Sequence, residues 1–277
     1  MKNKDKKFIF WGTPDVASRT LDILYDAGFI PELIVTSPDA PSGRGMSMTA
    51  SPVSVWAEDH MIDCIKPEKI DDEFINTLSE YKSDLFIVVA YGKILPQSII
   101  DMPKLGTINI HYSLLPLYRG ASPVESALLA GDKDTGVSIQ QMALKMDAGD
   151  IIKDLVVPID IEDTKSTLRT KLINEGGNLL VSTLPDIFDR KIKLQKQEEE
   201  KATYCKKIKK EDGLINPSDD GWTNYNKYRA YEGWPSVFFM IDGKRIKIKK
   251  AKYEDEKFVI ERVVPEGKKE IDFKLLK

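Results

Sequence analysis

The chain has 277 residues, 42% hydrophobic and 31% charged, with a net charge of −3. That is apolar material for one large domain, or for a larger and a smaller one, and no apolar run reaches the roughly 18–20 residues needed to span a bilayer. Cys64 and Cys205 stand far apart and outside any CxxC, and only His60 and His111 supply imidazoles, without an HExxH; this argues against a disulfide framework and a zinc centre and makes a reducing cytoplasm the expected home.

The charge is unevenly spread. Residues 201–277 hold 19 Lys and Arg against 13 Asp and Glu, a balance of +6, so residues 1–200 carry −9. A basic tail on an acidic body suits contact with an anion, although a lysine-rich solvated face gives the same count.

The opening "KKFIFWG" is too short an apolar run for a signal peptide and reads as a strand ending in "GTPD". "VASRTLDILYDAG" has helical spacing and closes on Gly28. "PELIVTS" is the next strand, followed by the Pro/Gly/Ser loop of residues 38–52. "PVSVWAEDHM" and "DDEFINTLSEY" read as helices, the second with an acidic first turn. "DLFIVVA" is a continuous apolar run, as a strand buried on both faces requires, and "TINIH" follows. Strands alternating with helices predict a parallel, twisted α/β sheet. Its ligand loops would be "WGTPD", "AYGKILP" and "HYSLLP", at the carboxyl ends of strands.

"TGVSIQQMALKMDAGDIIKDLVVPI" reads as further sheet with a tight "DAGD" turn, and residues 164–188 as a long helix interrupted near Gly176–Gly177. Residues 191–204 lose apolar periodicity and read as a linker. From Cys205 the short strands "SVFFMI", "RIKIKKA" and "KFVIERV" predict a small β-rich domain, a barrel.

Residues two apart in a strand face the same way, so Asn109 and His111 project together at a strand's carboxyl end. Histidine exchanges protons near neutral pH, and an asparagine amide can donate to a developing oxyanion. Asp147, before the small turn of "DAGD", is the candidate third group. With no nucleophilic Ser or Cys signature, this set suggests direct acyl transfer through a tetrahedral intermediate. The competing reading makes both residues ordinary polar groups at a strand end. "WGTPD" is neither a P-loop nor GxGxxG, and Ser113 lacks the glycines of a nucleophile elbow.

"NIHYSLLPLYRGASPV" followed by "GDKDTGVSIQQMALKMDAGDI" resembles the 10-formyltetrahydrofolate-dependent formyltransferases. The likeness extends over most of the chain, through "FWGTPDVASRTLDIL", "VVAYGKILP", "TYCKKIKKEDGLI", "RAYEGWPSVFF" and "VVPEGKK". It implies a Rossmann-like α/β catalytic domain over 1–190, a linker over 191–204 and a C-terminal OB-like β-barrel over 205–277. It also implies catalytic roles for Asn109, His111 and Asp147 without a metal. The folate co-substrate, 10-formyltetrahydrofolate, would contact Ser113, Leu114, Leu115 and Pro116 and the segment holding Val89, Tyr91, Gly92 and Ile94.

The C-terminal motifs resemble the branch whose acceptor is initiator methionyl-tRNA, working in the cytoplasm as a monomer without membrane contact. Arg44, Lys244, Arg245, Lys247 and Lys249 are the expected tRNA contacts. Two departures stand out: Tyr112, where the family has a small residue, and Met46 and Ser47, where it has lysines. Two alternatives remain. One is formyl transfer to an amino-sugar nucleotide. The other is a non-catalytic OB-type nucleic-acid binder stacking bases on Trp222, Tyr225, Tyr228, Tyr231 and Trp234, aromatics that serve equally as a core.

Overall fold

A computed structural model of the chain describes residues 6–42 and 46–276. It divides into two compact units that interleave along the sequence: Met1–Arg119, Gly136–Val156 and Leu172–Ala202 form the first, and Gly120–Thr135, Val157–Lys171 and Thr203–Lys277 the second.

The first unit is built on β1 (Phe8–Gly12), β2 (Leu33–Val35), β3 (Cys64–Ile65), β4 (Leu85–Val89), β5 (Thr107–His111), β6 (Asp134–Gln141) and β7 (Ile151–Pro158). They form one sheet in the order β7-β6-β5-β4-β1-β2-β3. From β3 to β5 the pairings are parallel, and β6 turns antiparallel to β5. Every residue of β1 and β4 is buried, which explains their uninterrupted apolar sequences "FIFWG" and "LFIVV". Trp11, Phe86 and Val88 pack with Phe74 and Leu78 in the core on one face; each such buried side chain contributes roughly 1.5–3 kcal/mol.

Helix α1 (Asp15–Asp26) buries Val16, Ala17, Thr20, Leu21 and Leu24 as one stripe. It ends at Gly28, whose φ of +83° turns the chain while the Phe29 amide bonds the Leu24 carbonyl at 2.8 Å. Helix α2 (Pro52–Asp59) starts on Ser51, and α3 (Asp72–Glu80) on Asp71, whose carboxylate accepts from the Phe74 amide. Helix α4 (Gln97–Ile100) is a single turn. The chain goes from β1 outward to β2 and β3, then returns to β4 on the other side of β1. That reversal is the switch point at which open α/β sheets bind ligands. Thr13 Oγ1, after β1, donates to the Tyr91 carbonyl, after β4, at 3.2 Å, so the two loops there are tied together.

Helix α6 (Lys165–Phe188) runs without interruption, correcting the expected break at Gly176–Gly177. The two glycines serve close packing. A Cβ on Gly177 would come within 2.5 Å of Ile23, and one on Gly176 within 3.1 Å of Val137 and 3.4 Å of the Tyr112 ring. Tyr112 therefore lies beneath α6. The alternation that sends Asn109 and His111 to one face of the strand sends Ile110 and Tyr112 to the other.

In the second unit, α5 (Pro123–Ala130) and α7 (Gly221–Ala230) accompany an antiparallel sheet of β8 (Phe238–Ile241), β9 (Lys244–Glu254), β10 (Lys257–Pro265) and β11 (Ile271–Asp272), in that order. Register shifts between Ile248 and Ala251 bend β9 against β10, the device by which small sheets curl. α7 has no apolar periodicity because, besides Ala230, its buried residues are Asn224, Tyr225, Asn226 and Arg229. The Arg229 guanidinium is buried over Trp222 and Tyr225, and its Nη1 donates to the Asp160 carbonyl at 3.2 Å. Trp222 and Tyr225 also pack on Tyr253, so these aromatics are core, whereas Trp234 is 54% exposed.

Candidate active site

β5 sets Asn109 beside Val88 of β4 and Gln140 of β6, and His111 beside Ser138 of β6. Asn109 Nδ2 donates to the Val88 carbonyl at 3.1 Å, and Gln140 Nε2 approaches Asn109 Oδ1 at 3.4 Å. An amide carries two N–H groups, and Asn109 lines the adjoining cavity. His111 is 6% exposed. Its Nε2 donates to the Tyr118 carbonyl at 2.9 Å, and its Nδ1 lies 3.6 Å from Asp147 Oδ1. The latter is ion-pair range but too long for a hydrogen bond. Tyr118, not Asp147, thus fixes the ring.

Asp147 comes from the loop between β6 and β7. Its φ of +51° is left-handed, and Gln140 Nε2 donates to its Oδ1 at 3.0 Å. Asn109, Gln140 and Asp147 line a cavity of about 180 Å³ with Lys93, Ile94, Leu95, Ile100, Met142, Ala143, Leu144 and Met146. Larger hollows of about 310 and 540 Å³ exist, but neither holds any of Asn109, His111 and Asp147. Chemistry, not size, selects the site. It is smaller than the usual ~300–1,000 Å³ ligand pocket, so it suits one end of a larger molecule.

The other expected residues are placed as follows. Ile94 lines the cavity. Val89 and Tyr91 are buried in the core, and burial pushes the Tyr91 phenol up to about 12. Gly92, with φ +84°, makes the turn after β4. Ser113 to Pro116 form the tight segment behind His111 and do not line the cavity. Ser138 Oγ donates to the Ser113 carbonyl at 2.8 Å and accepts from the Leu115 amide at 3.0 Å, while Ser113 Oγ donates to the Leu117 carbonyl at 2.6 Å. Leu114 occupies the space that a Cβ on Gly136 would take. This segment thereby presents the Tyr118 carbonyl to His111.

Arg44 lies outside the described residues. Arg245 and Lys247 share one face of β9 by alternation, and Lys249 sits in the register shift that follows Ile248. Lys247 and Lys249 line a cavity of about 270 Å³ with Tyr228 and Tyr231, whereas Lys244 falls in a separate hollow with Ile241 and Glu266. Arg245 stacks on Phe238 at 3.8 Å. Burial pushes the Lys247 ammonium down, and the neighbouring charges of Lys249 and Arg245 add to that. Lys250 and Lys252, by contrast, are paired with Glu261 and Glu254.

Gln140 and Gln197 were not singled out from the sequence. Gln140 was findable as the cross-strand neighbour of Asn109; Gln197, in the segment read as a linker, carried no signal. Among the described residues no group of three or more His, Cys, Asp or Glu is arranged to hold a metal ion, and no helix is long and apolar enough to cross a membrane.

A family described as formyl transferase matches residues 6–184, and its C-terminal domain matches residues 207–274. The chain is 40% identical, over 89% of its length and 80% of the relative's, to a methionyl-tRNA formyltransferase of Sulfurihydrogenibium sp.. It is 39% identical, over 87% and 77%, to one of Halalkalibacterium halodurans. The N-formyltransferase of Helicobacter canadensis, solved with folinic acid and dTDP-3-aminofucose, shares the fold with a TM-score of 0.67 at 19% identity, covering 96% of this chain and 98% of that one. Two family matches in tandem and 40% identity across nearly the whole chain make it a member of the formyl transferase family.

Proposed function

We propose that the chain transfers the formyl group of 10-formyltetrahydrofolate to the α-amino group of methionine on initiator methionyl-tRNA, in the cytoplasm, for translation initiation. The observation that carries the reading is the meeting of Asn109 and Asp147 on one cavity, between the segment after β4, the end of β5 and the β6–β7 loop, with His111 directly behind. The apolar walls given by Ile94, Met142, Leu144 and Met146 suit the flat ring end of the folate, and the small volume leaves its formyl-bearing end beside Asn109.

The amino nitrogen attacks the formyl carbon. The carbonyl oxygen becomes anionic and takes a hydrogen bond from the second N–H of Asn109. The C–N10 bond then breaks, returning the carbonyl, while the proton shed by the amine passes to N10. His111 and Asp147 form the pair that carries this proton. Because Nε2 is committed to the Tyr118 carbonyl, Nδ1 is the exchanging nitrogen.

The C-terminal domain supplies the tRNA contact, through Arg245, Lys247 and Lys249 on β9, with Lys244 and Arg44 as further cations. Identity of about 40% to methionyl-tRNA formyltransferases favours this acceptor over an amino-sugar nucleotide, since likeness to the sugar enzyme is at the level of fold. Incubation with methionyl-tRNA and 10-formyltetrahydrofolate should yield formylmethionine after deacylation. Affinity for tRNA should fall with salt, by a slope of about 0.9 per phosphate contact. Formylation of a nucleotide-linked amino sugar, with none of methionyl-tRNA, would overturn the proposal.

A further inference from the structure

Asp147 holds a backbone conformation that a side chain disfavours, with φ +51°, and something must keep it there. Gly149, two residues on, lies so close to the end of β6 that a Cβ would overlap the Gln141 carbonyl. The carbonyls of both residues are held by one side chain. Gln197 Nε2 donates to the Asp147 carbonyl at 2.9 Å and to the Gly149 carbonyl at 2.6 Å. Gln197 is half-buried in a run of exposed, charged residues.

Its own oxygen is fixed in turn. Arg119, fully buried, donates to Gln197 Oε1 from Nε at 3.1 Å and from Nη2 at 2.8 Å, and from Nη1 to Glu199 Oε2 at 2.8 Å. Glu199 also pairs with Lys145, inside the loop. The backbone joins in: Ile151 and Gln195 exchange two amide–carbonyl bonds, at 2.8 and 2.9 Å. Residues 195–199 therefore brace the loop from outside the site, and Gln197 Nε2 also approaches Gln140 Oε1 at 3.5 Å.

We infer that Gln197 is a positioning residue for the formyl transfer proposed above. Its amide clamps the backbone of the 147–149 turn to Arg119, so that the Asp147 carboxylate stands opposite His111 Nδ1. The inference rests on the proposed role of Asp147, but the clamp itself can be measured apart from catalysis.

Two substitutions separate the functions of the amide. Gln197→Glu keeps the oxygen that Arg119 holds and loses the two N–H donors; Gln197→Ala loses both. For Gln197→Glu, hydrogen exchange of the amides in 142–150 should accelerate while the rest of the chain stays unchanged. The midpoint of thermal unfolding should move by no more than a few degrees. The kcat for methionyl-tRNA should fall about 10–10²-fold, the scale of a small misplacement of a reacting group, with KM for methionyl-tRNA within threefold.

Gln197→Ala should show the same faster exchange, together with a larger loss of stability. If Gln197 only anchors Arg119, Gln197→Glu will keep wild-type exchange and wild-type kcat, and the clamp is refuted. If the wild-type protein does not formylate methionyl-tRNA, the acceptor reading fails separately. The exchange of 142–150 in Gln197→Glu then decides the clamp alone, acceleration upholding it and wild-type protection refuting it.

Discussion

His111 and Asp147 face each other with Nδ1 and Oδ1 3.6 Å apart, while the far side of the imidazole is bonded to the Tyr118 carbonyl at 2.9 Å. A carbonyl only accepts, so the Nε2 hydrogen stays in place, and in the proposed transfer Nδ1 is the nitrogen left to trade protons with the carboxylate or the reacting amine. Replacing Asp147 by Asn preserves shape and removes the charge. Asp147→Asn is expected to lower kcat by about 10²-fold or more, within the usual contribution of general acid–base groups, with circular dichroism unchanged. Single-turnover formylation measures the effect; a rate within threefold of wild type would remove Asp147 from the proton path.

In the proposed transfer Asn109 differs from these two, contributing a hydrogen-bond donor that gives no proton away. One N–H is committed to Val88, which aims the other. Asn109→Ala is expected to cost about 10²–10³ in kcat, as for other oxyanion donors. Binding of folate measured by fluorescence should change little. A large loss of folate affinity with normal kcat would show that Asn109 holds the ground state instead.

In the second unit, Asp163 carries an acid-sensitive contribution to stability. Burial pushes its carboxyl up, but bonds from Lys171 Nζ at 2.6 Å, the Asp160 amide at 2.8 Å and Thr167 Oγ1 at 2.9 Å outweigh it and hold the group below its ordinary range. A folded-state value below the unfolded one of about 3.9 gives stability that is complete above that pH and lost as pH falls through the depressed value. Asp163→Asn should destabilise by about 1–3 kcal/mol at pH 7, and the gap to wild type should close below about pH 4. Urea titrations at pH 7, 4 and 3 test the sign; a constant gap would contradict it.

Tyr91 works at the other end of the scale. Burial raises its phenol to about 12, and its hydroxyl has no hydrogen-bond partner among the described residues. The unfolded chain ionises this group near about 10. Its contribution is therefore full below that pH and is lost as pH rises toward the folded value. Tyr91→Phe should shallow the loss of stability between about pH 10 and 12, where Tyr231, also pushed by burial to about 12, continues to act. At pH 7 it should be neutral or stabilising by about 1 kcal/mol, because an unsatisfied buried hydroxyl is removed. Thermal melts across that range measure both; destabilisation above about 1 kcal/mol at pH 7 would mean the hydroxyl is partnered.

Much of the first unit was legible because its signals are local. "FIFWG" and "LFIVV" declare doubly buried strands, and Gly28 declares the end of α1. The glycines at 176 and 177 misled, since a helix tolerates glycine where a neighbouring side chain needs its space. α7 left no mark, because a helix that buries asparagine, tyrosine and arginine has no apolar stripe to find.

The site divides along the same line. Sequence alone determined that Asn109 and His111 share a face, since a strand's period is two whatever surrounds it, and that the turn after Asp147 is tight, since "DAGD" sets an alanine and a glycine there. Tertiary structure decided which nitrogen of His111 is committed and that Asp147 stands opposite the other. It also decided that Gln197, chemically anonymous among charged neighbours, braces the turn. Those depend on hydrogen-bond partners distant along the chain, and a glutamine amide acquires its meaning only from what the fold places within three ångströms of it.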